Sequence, residues 1–364
     1  MNIVFRTDAS LKIGTGHVMR CLTLAKSLRD RRCTCRFISR GYEGNLIEKI
    51  ISEGFLVSVL ENSNFLEVEN DQPILDHSDW LGTSWQQDAM QSIEAIGSDR
   101  IDWLVVDHYA LDIRWEGKLR PYTKKIMVID DLADREHSCD LLLDQNLGRE
   151  FKHYQNLVSS TITLLLGPKF ALLDPIFPKN RLKLPKPQSK INRLLMYFGG
   201  GQESTELAKT VLKAFSEEDL LDFKVDLVLQ SKEFLSTQLD YNIKKLGSVR
   251  VHYSLPNLAS LMMKANLSIG AAGSTTWERC CLGLPSLLVV CSLNQKLIGE
   301  SMESRGAALT FYQDEKVGQR ISKAVFKLLD DHNFYLQMRE NALKICDGSG
   351  TDRVARTLLE KSCG

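Results

Sequence analysis

The sequence predicts an α/β protein built from two doubly wound parallel-sheet domains, and three observations carry that expectation. Short apolar runs alternate with amphipathic stretches through both halves of the chain. Several runs, such as residues 101–106 and 126–129, are almost continuously apolar, which suits parallel strands covered on both faces. The alternation breaks once, at residues 174–190, where four of the nine prolines gather (Pro175, Pro178, Pro185 and Pro187), and then restarts. A chain of 364 residues is also too long for one ordinary core. The expected division is a domain over 1–174, a proline-rich linker over 175–190 and a second domain over 191–364.

The elements follow in order. Residues 3–5 read as a first strand. Val18, Cys21, Leu22, Ala25 and Leu28 recur on one helical face. Strands are expected at 35–39, 55–60, 101–106 and 126–129, with a short helix over 45–52. Residues 61–80 are polar and acidic and read as a long surface excursion able to border a cleft. In the second half, strands are expected at 194–198, 225–229, 267–271 and 287–291. Helices follow Gly199-Gly200-Gly201, Ser254, Ser274 and Asn294, and the chain ends in helical segments from about residue 316.

Composition excludes several classes. Forty-six basic residues balance 46 acidic ones, which argues against a nucleic-acid binder driven by bulk charge. No apolar run reaches the roughly 18 residues of a membrane span. The N-terminus enters a strand pattern with no leader-like segment, so a cytoplasmic location without stable membrane insertion is expected. Nine scattered cysteines with no C-x-x-C favour reduced core thiols over a zinc site or a disulfide scaffold.

Three constellations carry chemistry. The first is Arg6-Thr7-Asp8 followed by Gly14-Thr15-Gly16-His17, between the first strand and the first helix. Ligands bind at such carboxyl ends of strands, and the glycines allow close backbone approach. A dinucleotide fingerprint fails because Met19 stands where its third glycine belongs. His17 at the helix mouth reads either as a base reaching a cleft or as a loop hydrogen-bonder. Asp8 reads as its orienter or as a turn cap.

The second constellation is Asp107-His108-Tyr109 at one strand end, with Asp130-Asp131 at the next. Cleft lining by Asp107 and Tyr109 is favoured over a metal pair, because no spacing there is diagnostic. The third runs from Gly270 through Ala271, Ala272, Gly273, Ser274, Thr275, Thr276 and Trp277 to Glu278. It is a strand, a turn without side-chain bulk and a helix start, hence a candidate phosphate seat. Glu278 suits a ribose diol, yet Thr275-x-x-Glu278 also fits a capping box. Arg279 reads as solvated. Asn294 and Gln295 follow the next strand, the first as a helix cap and the second as a cleft residue. Two such domains, a hinge and a nucleotide seat on the second domain together describe the GT-B architecture, with both domains facing a central cleft.

The motifs Arg6-x-Asp8, Ile13-Gly14-Thr15-Gly16-His17-Val18-Met19-Arg20-Cys21, Val106-Asp107-His108-Tyr109, Gly167-Pro168-Lys169-Phe170 and residues 270–285 with Asn294-Gln295 resemble the PseG family. These are hydrolases of pseudaminic acid biosynthesis acting on UDP-2,4-diacetamido-2,4,6-trideoxy-β-L-altropyranose. The resemblance covers nearly the whole chain. It implies a GT-B fold and hydrolysis at the anomeric carbon with inversion, without metal or cofactor. His17 would activate water, with Asp8 beside it in the catalytic group. Asp8 and Tyr109 would lie near the sugar, and Arg6, Gly14 and Gly16 are candidate substrate-binding residues. Gly273, Ser274, Thr275 and Glu278 would hold diphosphate and ribose, and Asn294 would contact the sugar side. From the residues themselves, Gly200 in the glycine turn reads as approaching the same phosphates or as simply starting a helix, and Gln295 as pointing into the cleft. The expected partner is a UDP-sugar, and the expected state is a monomer. The rival readings are a GT-B glycosyltransferase and a nucleotide-sugar binding module without turnover.

Overall fold

The computed structural model describes residues 1–61, 75–186, 190–199, 202–217, 223–253 and 255–362. Most of the polar excursion at 61–80, together with Gly200, Gly201 and Ser254, lies outside them.

The chain divides into two units, residues 1–172 with 350–364, and residues 173–349. The first unit holds seven parallel strands: β1 (Asn2–Thr7), β2 (Thr34–Arg40), β3 (Leu56–Leu60), β4 (Ile101–Asp107), β5 (Thr123–Ile129), β6 (Leu141–Asp144) and β7 (Thr163–Leu166). Their order is β3-β2-β1-β4-β5-β6-β7. The second unit holds β8 (Arg193–Tyr197), β9 (Lys224–Leu229), β10 (Val249–Tyr253), β11 (Leu267–Ala271), β12 (Ser286–Val290) and β13 (Ala308–Tyr312), in the order β10-β9-β8-β11-β12-β13. Both sheets reverse direction of winding at an equivalent place, between β1 and β4 and between β8 and β11. A topological switch point of this kind opens a crevice at the strand ends.

The expected doubly wound sheets are therefore present. The sequence reading lacked β6, β7, β10 and β13. Two of these, Leu141–Asp144 and Thr163–Leu166, are leucine-rich runs of four residues, and leucine does not separate strand from helix by periodicity.

Burial on both faces explains the continuous apolar runs. Ile3, Phe5, Trp103, Val105, Met127 and Ile129 pack on one side of the first sheet, against the helix Gly16–Arg29. Val4, Leu104, Val106, Ile126 and Val128 pack on the other, against the helices Trp85–Ile96 and Ile113–Leu119. The successive residues of each strand thus serve opposite cores.

The last helix, Gly350–Ser362, does not stay with the second unit, where the sequence reading put everything to residue 364. Val354, Ala355 and Leu358 enter the core of the first unit beside Val18, Leu22 and Ala25. The Trp103 indole N–H donates to Ser362 Oγ at 2.7 Å, and Arg31 pairs with Asp352. The proline-rich stretch hides the change because chain composition marks a crossing but not a return.

The sheet also carries a buried ionic cluster. Arg6, wholly enclosed, donates to Asp8 at 2.6 Å and to both oxygens of Asp88 at 2.6 and 3.2 Å. Arg40 and the Trp115 indole also donate to Asp88. Burial would raise the Asp88 carboxyl, but Arg6 overrides it and holds the group below its usual value. Removing one member strands the others without water. Arg6→Met is expected to destabilise the first unit by about 3–5 kcal/mol, read as a lowered unfolding transition by circular dichroism. Loss of under about 1 kcal/mol would show that the cluster has little structural weight.

Candidate functional site

In the first unit the loop after β1 turns on Gly14, whose φ of +80° is open to glycine without strain. Gly14 N–H donates to the Ser10 carbonyl at 2.9 Å, and Ser10 Oγ accepts from Ile13 N–H. Gly16, exposed, begins the helix, and Thr15 precedes it without a side-chain cap. This places His17 in the first helical turn, at the switch point between β1 and β4.

The His17 side chain is 10% exposed. Its Nδ1 lies 2.7 Å from Asp107 Oδ1, at the end of β4. Arg20, one turn further along the helix, grips both Asp107 oxygens through Nε and Nη2, each at 2.7 Å. Burial would raise the Asp107 carboxyl, yet Arg20 and then His17 hold it well below the ordinary carboxylate range. An ionised Asp107 can only accept, so His17 Nδ1 carries a proton, and in the neutral ring Nε2 is then the nitrogen with the lone pair. Among the described residues, the hydrogen bonding of His17 runs through Nδ1 alone. The result is an oriented base with its free nitrogen away from its carboxylate.

Aromatic rings surround it. Tyr109 meets the imidazole edge-on, with centroids 4.6 Å apart. Trp80 stacks on Tyr109 at 5.5 Å, and His77 lies 4.5 Å from Trp80. The Tyr109 hydroxyl donates to Asp131 at 2.7 Å.

Two expected site residues stand elsewhere. Asp8 is wholly buried and does not orient His17. It accepts from Arg6, Ser39 and the Arg40 backbone N–H, and its second oxygen lies 3.4 Å from His108 Nε2. The Ala110 N–H donates to His108 Nδ1, which assigns the His108 proton to Nε2, toward Asp8. Arg6, with its guanidinium committed to Asp8 and Asp88, has no face left for a ligand. The orienting role belongs to Asp107. Sequence reasoning named Asp131 only as part of an acidic strand end and gave no role to Arg20, His77 or Trp80; the one local signal was Arg20 standing three residues after His17 on the same helical face.

The two acidic strand ends meet through Arg20, which joins Asp107 to Asp131, and not as a bare pair of carboxylates. Asp107 is taken by Arg20 and His17, and Asp130 by Arg135 at 2.9 Å and the Tyr154 hydroxyl. Among the described residues no three His, Cys, Asp or Glu gather as a metal site. The eight described cysteines are free, and all but the half-buried Cys291 are buried.

In the second unit, β11 leads through Ala272 and Gly273 to the helix Thr275–Cys281. Ser274 occupies the cap position without accepting a cap hydrogen bond. Among the described residues no hydrogen bond runs from Glu278 back to the helix start either, so the capping-box alternative does not form. Thr275 is already inside the helix, one place too late for that motif. Glu278, half-buried, is pushed up to about 8 by burial, with Asp174 adding to the rise.

Arg279 is not solvated as the sequence reading held. It is 2% exposed and ties the turn together, donating to the Ala271 carbonyl at 2.6 Å and to Thr275 Oγ1 at 3.1 Å. Burial brings its guanidinium down to about 10. Asn294 does not cap the next helix, which spans Leu293–Ser304 with Ser292 at the cap position. Its Oδ1 instead accepts from Ser292 Oγ at 2.5 Å. Gln295 folds back, its Oε1 accepting from Cys291 N–H at 3.1 Å, which occupies that atom. Gly199 ends the β8 segment with φ +99°, while Gly200 lies outside the described residues.

One glycine in this turn is compulsory. A Cβ at Gly270 would lie 2.2 Å from the Tyr197 carbonyl oxygen and 3.0 Å from Arg279 Nη1. Gly270→Ala is expected to cost at least about 3 kcal/mol, above the usual overpacking range, because the clash is with backbone. Calorimetry of the variant checks this. An unchanged unfolding temperature would show that β8 and β11 can part without cost.

Comparison with known proteins places this geometry in context. Residues 194–352 match the glycosyltransferase family 28 C-terminal domain, which includes the turn and Glu278. An uncharacterised protein of Methanocaldococcus jannaschii is 24% identical over 79% of this chain, which spans about half (55%) of that protein. The UDP-2,4-diacetamido-2,4,6-trideoxy-beta-L-altropyranose hydrolase of Campylobacter jejuni is 26% identical over 76% of this chain and 87% of its own. The crystal structure of Acinetobacter baumannii MurG superposes with a TM-score of 0.62, at 13% identity and 99% coverage of both chains. The chain has the GT-B fold of paired parallel-sheet α/β units.

Proposed function

We propose that the protein is an inverting hydrolase of a UDP-sugar, with UDP-2,4-diacetamido-2,4,6-trideoxy-β-L-altropyranose as its substrate. The observation that carries this reading is the His17–Asp107 dyad, a base whose proton position is set and whose Nε2 is free. The likeness to the Campylobacter jejuni hydrolase supports the choice of substrate. The reading assigns the diphosphate to Gly273, Ser274 and Thr275, the ribose to Glu278, and the water to His17.

In the reaction, a water oxygen attacks the anomeric carbon opposite the nucleotide. Its proton passes to His17 Nε2, and the bond from that carbon to the diphosphate oxygen breaks with its electron pair. One displacement without a sugar–enzyme bond inverts the centre. UDP leaves readily as an anion, and backbone N–H groups and hydroxyls at the turn after β11 favour the growing charge. The base is worth about 10²–10⁴-fold in rate. His17→Ala is expected to lose that much kcat while binding UDP normally. Wild-type turnover in that variant would sink the mechanism.

Glu278 makes the nucleotide step pH-dependent. With its pKa raised to about 8, the free protein carries it mostly protonated at pH 7. A ribose diol donates to the ionised form. UDP affinity should therefore rise by up to about tenfold per pH unit between pH 6 and 8, then level off. Titration calorimetry in buffers of different ionisation enthalpy should show proton release on binding, abolished in Glu278→Gln. Affinity independent of pH would remove Glu278 from the ribose contact.

The same raised value gives the stability sign. Folding favours the protonated carboxyl, so its contribution is fully present below the unfolded value near 4.5 and is lost as pH rises through about 8. Glu278→Gln should therefore become more stable than the parent, in the absence of nucleotide, as pH approaches 8.

A glycosyltransferase is the second reading, favoured by the family 28 match over residues 194–352. Proton NMR of the protein with the UDP-sugar and no acceptor separates the two. Release of UDP and the free sugar, first as the inverted anomer, supports the hydrolase. Intact substrate under those conditions supports a transferase awaiting its acceptor, or a binding module.

A further inference from the structure

The contacts around His17 close on themselves. His17 Nδ1 meets Asp107, and Asp107 takes the Nε and Nη2 of Arg20. Arg20 Nη1 reaches on to Asp131 Oδ2 at 2.7 Å. The same Asp131 oxygen accepts the Tyr109 hydroxyl at 2.7 Å. The Tyr109 ring then returns edge-on to the imidazole. Five side chains from the first helix, the end of β4 and the turn after β5 thus form one ring.

We propose that Arg20 and Asp131 are positioning residues for His17, acting through Asp107 on one side of the imidazole and Tyr109 on the other. The proposal rests on the hydrolase reading for its kinetic consequence, though not for its geometry. Neither residue need touch substrate.

The physical argument concerns both direction and charge. Arg20 is buried, its side chain 8% exposed, and its planar fork fits two carboxylates at once. By holding both Asp107 oxygens, it prevents the carboxylate from rotating away from Nδ1. By engaging Asp131, it fixes the acceptor that holds the Tyr109 hydroxyl, and so the ring that limits rotation of the imidazole. Within the ring, two carboxylates face one guanidinium. The excess negative charge is neutralised when His17 takes the proton of the attacking water, so the ring is charge-balanced after the step rather than before it. His77 and Trp80 complete the surroundings from the segment before the helix Trp85–Ile96.

The test compares Arg20→Lys and Asp131→Asn with the parent protein. Lysine keeps the positive charge but cannot grip two carboxylates in a fixed plane. Asparagine keeps the shape of Asp131 and removes its charge. Partners behind metal-bound side chains typically matter about 10–100-fold, and the same scale is expected for partners behind this imidazole. Each variant should lose about that much kcat on the UDP-sugar, with KM within about threefold and the unfolding temperature little changed. Long-range ¹⁵N–¹H NMR of the histidine rings, with His17→Ala to assign the signal, should show a single Nδ1–H tautomer in the parent. Arg20→Lys should show mixed tautomers.

Parent-like kcat and a single tautomer in both variants would overturn the proposal. So would a joint loss of kcat, rise of KM beyond about threefold and fall of the unfolding temperature in both, which is what a purely structural ring would give. If the parent protein releases no UDP at all, the hydrolase reading fails. The tautomer comparison then still decides the ring, since mixed tautomers in Arg20→Lys would uphold it and an unchanged spectrum would end it.

Discussion

The carboxylate of Asp107 at the buried end of β4, held by the forked guanidinium of Arg20, is the interaction on which the candidate site depends. A carboxylate in that position stays charged only if a cation meets it, because burial alone would drive it toward the neutral acid. Arg20 supplies the cation from the helix that also carries His17. Once charged, Asp107 accepts the His17 proton and thereby decides which imidazole nitrogen is free. Fold, helix start and chemistry meet in that one ion pair.

The same arrangement recurs along the first sheet with different outcomes. Asp8 after β1 has Arg6, Asp130 after β5 has Arg135, and Asp144 at the end of β6 has Arg149 at 2.5 Å. Arg6 and Arg135 win against burial, and both of their carboxyls lie well below the usual range. Asp144 differs: burial, with Asp131 adding to it, outweighs Arg149 and pushes its carboxyl up to about 7. Among the described residues, the Asp107 pair alone also takes a histidine at the mouth of the loop. Asp8 has His108, but that ring is buried, its pKa lowered first by desolvation, and it faces inward. The sheet thus places four acid–arginine pairs at its strand ends, and the neighbour of each one separates scaffold from chemistry.

The second unit uses the opposite strategy. Glu278 has no arginine holding its carboxylate in a fork, since the Arg279 guanidinium is spent on the Ala271 carbonyl and Thr275. Its carboxyl rises to about 8 because burial outweighs the nearby Arg279 charge. The turn before it carries no large side chain, and Gly270 lets Arg279 and the Tyr197 carbonyl close in beneath it. An imidazole oriented by a carboxylate in one unit and a carboxyl raised by burial in the other are different electrostatic preparations, each placed at the switch point of its own sheet.

Local chain chemistry was legible in the sequence. Continuous apolar runs announced strands covered on both faces, glycines and small residues marked the turns after β1 and β11, and His17 and Glu278 stood out by their distance from helix starts. Those features depend on spacings of a few residues, which sequence displays directly. Tertiary structure alone decided the partners. Asp107 lies 90 residues from His17 and 87 from Arg20, and Asp131 lies 111 residues from Arg20. Asp8, two residues from Arg6 and nine before His17, reads from sequence as an orienter or a turn cap, and it faces the interior with Arg6. The last helix likewise crosses to the first unit with nothing in its composition to announce it. Which charges meet depends on which strands lie side by side, and that is settled by packing two cores against one sheet, not by order along the chain.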